Sequence, residues 1–168
     1  MALYQNNAFV ADAWSKLADD AALPASGDMI LPLARWRKER AVLAARAGRT
    51  GVSIAPGETW DDLVADLPTL SLFALVFPKY TDGRAFSTGR QLRVRHDYKG
   101  EIRAIGDVLL DEISLMTRCG FDAFEVTDER SIRALQRGYI PKVSLYYQPA
   151  LGVEAPVGTR PWLRRRGG

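Results

Sequence analysis

The sequence predicts an α/β protein whose alternating strands and helices form a largely parallel sheet, either as a three-layer domain or as a partial barrel. Three observations lead there. Residues 72–77 run Leu72-Phe73-Ala74-Leu75-Val76-Phe77 with no polar interruption, which suits a strand covered on both faces. Apolar stretches followed by a polar turn and then a helical pattern recur along the chain, as expected of right-handed β-α-β crossovers. Gly48, Gly120 and Gly138 each close a helical pattern, where a C-cap glycine belongs.

The elements follow in order. Asn6-Asn7 and the short apolar stretch after it predict a short N-terminal strand or hairpin that covers an edge. Residues 22–28 are rich in turn formers and read as a loop. Residues 29–33 form a strand that Pro32 confines to an edge or an end. Residues 35–47, rich in Ala, Arg, Leu and Glu without internal Gly or Pro, form a helix. Residues 51–55 are a strand broken by Pro56-Gly57, after which Thr59 or Asp61 caps a short helix to Leu67. The central strand is 71–77, and a helix weakened by Gly89 covers 84–96. Residues 101–105 alternate as a strand. The strongest helix is 108–119, with Leu109, Ile113 and Met116 at i, i+4 and i+7. Residues 121–126 form a strand, Thr127 or Asp128 caps a helix to Arg137, and 142–147 form a last strand. Residues 1–148 thus read as one α/β domain, and 149–168 as an irregular tail rich in Pro, Gly and Arg.

Composition narrows the class. A hydrophobic fraction of 47% with 26% charged residues is that of an ordinary globular domain. No membrane span and no leader pattern are evident, and a single cysteine, Cys119, excludes an internal disulfide or a cysteine cluster. A cytoplasmic location is expected. The net charge of +3 is carried by Arg160, Arg164, Arg165 and Arg166; without these four the 23 basic residues become 19 against 20 acidic ones. The body is therefore near neutral, which argues against nucleic acid as a partner.

In a parallel sheet the strand carboxyl ends share one edge, where α/β folds place ligands. That edge would present Lys79, Asp82 and Arg84 from one turn, Asp107 from the next, and Thr127 and Asp128 from the one after, with Ser53 and Glu58 flanking. Two cations beside carboxylates could bind a small oxyanion or supply a general base. The same residues also suit plain structural work, since Asp82-Gly83 is a common turn and Asp107 could cap a helix. A cationic group, Arg84, Arg90, Arg93, Arg95, Lys99 and Arg103, could meet an acidic partner through Arg90, Arg93 and Arg95, or form a solvated face. His96 is the only histidine and lies beside Asp97 at a helix end, so a metal site built on histidines is excluded. Nucleotide fingerprints of the Gly-x-Gly-x-x-Gly and P-loop types are absent, and so is Gly-x-Ser-x-Gly. No metal is expected, and the residues identify no cofactor.

Three blocks carry a resemblance: residues 77–84 with Ser87 and Arg90, then Gly100-Glu101-Ile102-Arg103-Ala104-Ile105-Gly106-Asp107-Val108-Leu109, then Arg118-Cys119-Gly120-Phe121-Asp122-Ala123-Phe124-Glu125. They resemble bacterial domain of unknown function (DUF) family 934, from about Trp14 to Pro149. The resemblance implies a setting in sulfate assimilation, because members are commonly encoded beside assimilatory sulfite reductase and are described as oxidoreductases of sulfite reduction. It implies no catalytic residues. Two functions are expected from it. One is an accessory protein of sulfite reduction that binds the reductase or its electron donor. The other is an oxidoreductase or oxyanion-binding enzyme with its site at the strand carboxyl ends.

Overall fold

The computed structural model of the chain describes residues 2–141, so the predicted strand 142–147 and the tail 149–168 lie outside the described residues. The strands are β1 (Ala2–Gln5), β2 (Ala8–Val10), β3 (Ser15–Lys16), β4 (Met29–Pro32), β5 (Thr50–Ile54), β6 (Leu70–Phe77), β7 (Glu101–Gly106) and β8 (Ala123–Val126). The helices are α1 (Leu33–Ala44), α2 (Arg84–Val94), α3 (Ile113–Arg118) and α4 (Glu129–Gln136), with a 3-10 turn over Asp61–Asp66.

One sheet holds all eight strands in the order β2-β1-β8-β7-β6-β5-β4-β3. From β3 to β8 each strand pairs in parallel with the next in sequence. The sheet is nevertheless mixed rather than largely parallel, because β1 runs antiparallel to both β2 and β8. The cause is local. Asn6 and Asn7 take φ of 52° and 62°, the left-handed pair of a two-residue hairpin turn. The hairpin then closes the β8 edge, as the sequence predicts.

Strand order explains where the core lies. Sequential right-handed crossovers put every connecting helix on one face. Accordingly Leu33, Trp36, Leu63, Leu92, Met116 and Leu135 join Leu31, Val52, Phe73, Leu75, Ile102 and Phe124 in one buried cluster. No third layer of helices forms among the described residues. The opposite face carries a small cluster of Ile30, Leu72 and Ala74, against which Trp14 and Ile105 pack.

That second face is concave. Four strands separate β3 from β8, a span of about 24 Å in a flat sheet. Yet Lys16 on β3 donates to Glu125 on β8, so the sheet curls. Residues 11–14 cross the concave face as a strap from β2 at one edge to β3 at the other.

Two predicted elements differ. The helix expected over 108–119 begins only at Ile113. Asp107 N–H donates to Phe77 O (2.7 Å) and Val108 N–H to Gly106 O (3.1 Å), which folds the chain over the strand ends first. Neither Thr59 nor Asp61 caps the 3-10 turn: its N-cap is Trp60, without a side-chain bond. Asp62 instead accepts from Arg37 Nε at 2.8 Å.

Candidate functional site

The carboxyl edge is built on the step between β6 and β7. Gly106 turns there with φ 96°, and a Cβ on it would sit 2.3 Å from Phe77 O, so only glycine lets the strands stay paired at this point. The following Asp107 carboxylate accepts from Tyr80 N–H at 3.0 Å and ties the turn after β7 to the turn after β6. Within the latter, Asp82 N–H donates to Lys79 O at 3.0 Å.

Asp82 and Arg84 form a bidentate pair, Nε to Oδ1 at 2.9 Å and Nη2 to Oδ2 at 2.6 Å. The hydrogen bonds from Arg84 hold the Asp82 carboxyl below its ordinary range, and the reciprocal bonds hold Arg84 above its own. The Arg84 guanidinium also lies over Gly57, in the loop after β5. Asp128 accepts from both the N–H and the hydroxyl of Ser131, each at 2.7 Å, and these bonds keep its carboxyl low. It is the N-cap of α4. Lys79 and Thr127 are exposed. Glu58 accepts from Ala55 N–H at 2.6 Å, and Ser53 donates to Leu31 O at 3.4 Å. The edge thus has the predicted residue types, with most of their polar groups committed to joining loops and capping helices.

The cationic group divides. Arg90 and Arg95 are exposed with Arg84 on and just beyond α2, beside Val94. Arg93 faces the protein instead. It donates to Gly120 O (2.8 Å), Tyr98 O (2.6 Å), Gly100 O (2.8 Å) and the Asp122 carboxylate (2.6 Å), clamping the loops that enter β7 and β8. His96 packs edge-on against Trp60, with ring centroids 5.5 Å apart, while Asp97 pairs with Lys99. Burial raises the half-buried Cys119 thiol above its ordinary value against the opposing charges of Arg90 and Arg118, the reverse of an activated nucleophile.

Two further polar clusters were not visible in the sequence. The first lies beneath the strap. Arg103 is fully buried and donates to Asp12 and Glu101, each at 2.7 Å, with Glu125 at 3.4 Å and Lys16 beyond it. Burial opposes its charge, but the bonds to Asp12 and Glu101 outweigh that and raise its pKa. A hint was present: Glu101, Arg103 and Glu125 occupy inward positions of otherwise apolar strands. The second is a cleft at the opposite, amino end of the strands, between α1 and the turn that leads into β6. It is lined by Trp36, Arg40, Leu43, Arg46, Asp66 and Leu70 among others. Single arginines and aspartates on separate elements gave no motif by which to find it.

Among the described residues no set of three His, Cys, Asp or Glu side chains is placed to hold a metal ion, and no helix is long and apolar enough to cross a membrane. The fold and these sites define a single curled α/β sheet with its helices on one face. The family model described as a bacterial protein of unknown function, DUF934, matches residues 51–158, and the chain belongs to that family. Comparison with curated proteins and with solved structures gives no match.

Proposed function

We propose that this protein is a non-catalytic accessory protein of assimilatory sulfite reduction that acts by binding a reductase or its electron-transfer partner. The carrying observation is how the polar groups of the carboxyl edge are used. Asp82 is held by Arg84, Asp107 by the Tyr80 amide and Asp128 by Ser131. A general base or nucleophile needs a reactive group directed at substrate, with a pKa matched to its task. Here Asp82 and Asp128 are pushed towards permanent ionisation and Cys119 towards a protonated thiol. By contrast Arg90 and Arg95, on and just beyond α2, are exposed together with Val94 at 58%, which suits them to an acidic partner. The sulfite-reduction setting rests on the family resemblance carried by the 77–84, 100–109 and 118–125 blocks.

The test is affinity isolation of the tagged full chain from cells grown on sulfate as sole sulfur source, with mass spectrometry and an absorbance spectrum of the eluate. Sulfite reductase or its electron donor in near-stoichiometric amount, with no chromophore left on this chain after separation, is expected. A coloured chain carrying its own redox group would overturn the non-catalytic reading and favour an oxidoreductase.

A further inference from the structure

The outer face of α4 carries a cationic stripe that the fold itself does not use. Arg130, Arg133 and Arg137 are all exposed and stand at i, i+3 and i+7. At 3.6 residues and 5.4 Å per turn, this spacing sets them within an arc of about 60° along about 10 Å of helix. The inner side holds the helix down, with Ser131 and Leu135 buried and Ile132 packed on the core. Among the described residues none of the three arginines forms a salt bridge or a side-chain hydrogen bond. Glu129 stands one turn before Arg133 without pairing with it. Asp128 feels the charge of Arg130, but its carboxylate is bonded to Ser131.

Local stability does not call for this arrangement. The helix dipole favours cations at the carboxyl end, where Arg133 and Arg137 lie, and disfavours one in the first turn, where Arg130 lies. Like charges at i, i+3 and i, i+4 also repel one another.

The residue types describe the occupant. Each cation is an arginine, whose planar fork of donors grips a carboxylate with two parallel bonds. At the end of the stripe Tyr139 N–H donates to Ala134 O at 3.0 Å, which holds the residue against the last turn while it stays 60% exposed. Arginine and tyrosine are enriched at protein interfaces, where lysine is depleted. The stripe is also short, three charges bounded at one end by Asp128 and Glu129. A nucleic-acid strand is held by a longer row of phosphate contacts.

We propose that this face binds an acidic segment of another protein, its carboxylates on Arg130, Arg133 and Arg137 and an apolar side chain on Tyr139. Helix α4 packs by β2 and α2 packs on β6, with β1, β8 and β7 between them in the sheet. The surface is therefore separate from that of α2, and it does not depend on the sulfite-reduction reading.

The experiment selects peptides from a displayed random library on the immobilised full chain. The isotope-labelled chain is then titrated with a selected peptide by NMR at low and moderate salt. Selected peptides are expected to be rich in Asp and Glu with an apolar residue, and to shift the amides of residues 129–139 saturably while those of α2 stay in place. Arg133→Gln with Arg137→Gln should weaken binding at least tenfold and Tyr139→Ala several-fold, with thermal unfolding unchanged because all three side chains are exposed. Selection of no acidic peptide would overturn the proposal, as would acidic peptides whose shifts fall on α2 or whose binding survives the double substitution. Equal or tighter binding of a single-stranded oligonucleotide of the same charge would overturn it too, and would make this a nucleic-acid surface.

Discussion

Glu112 precedes α3 with one carboxylate oxygen, Oε2, buried and without a partner. Burial, then the nearby Asp111 and Asp107, raise its pKa above the ordinary glutamate value. The folded state therefore holds this proton more tightly than the unfolded chain does. Stability from the group is complete below the ordinary value of about 4.3 and falls as pH rises through the higher folded value. Glu112→Gln keeps the shape and removes the charge. Thermal melts should show the variant a few degrees more stable at pH 7, and that gain should shrink towards pH 4. Arg103 is a buried cation with Asp12, Glu101 and Glu125 around its guanidinium, although its Nη2, like Glu112 Oε2, is buried without a partner. Arg103→Met would leave those carboxylates without their cation, at a cost of about 3–5 kcal/mol. Denaturant unfolding should show that loss, whereas Lys16→Met, at a side chain 42% exposed, should cost under about 1 kcal/mol.

Among the elements, α2 shows how packing overrides propensity. Gly89 looks like a flaw in a helix, worth about 1 kcal/mol against alanine. In the fold it is buried, and a Cβ there would lie 2.6 Å from the ring of Phe121, itself packed against Phe77 and Phe86. Gly89→Ala should therefore lower stability by roughly 1–3 kcal/mol despite the better helix former, by the usual cost of overpacking. A neutral or stabilising result in a thermal melt would mean that the ring can move aside. The same contrast governs what the sequence could reveal. Strands β5 to β8 and helices α2 and α4 were legible because their signals are local: an apolar run, a capping Asp128, a terminal Gly138. The start of α3 was not, since Leu109 keeps the helical spacing with Ile113 and Met116 while the backbone of Asp107 and Val108 is drawn to Phe77 and Gly106.

For the whole molecule, the least legible feature is the strap. Asp12 meets Arg103 across 91 residues, and Lys16 meets Glu125 across 109, so no window of sequence contains either pair. The sequence did place Lys79, Asp82, Arg84 and Asp107 at one edge, because strand–turn–helix order alone does that. What it could not supply was their partners: Asp82 pairs with Arg84, and Asp107 accepts from the Tyr80 amide. Arg90 and Arg95, on and just beyond α2, are exposed, and it is there that the proposed partner would meet the chain.

The most direct test is a titration of purified sulfite reductase, with and without its electron donor, against the purified chain by sedimentation at low and moderate salt. Saturable binding is predicted, weakened by salt through screening and at least tenfold by the double substitution Arg90→Glu and Arg95→Glu in a chain that still folds. No association with either protein at low salt, or binding that ignores both salt and the two substitutions, would contradict the account.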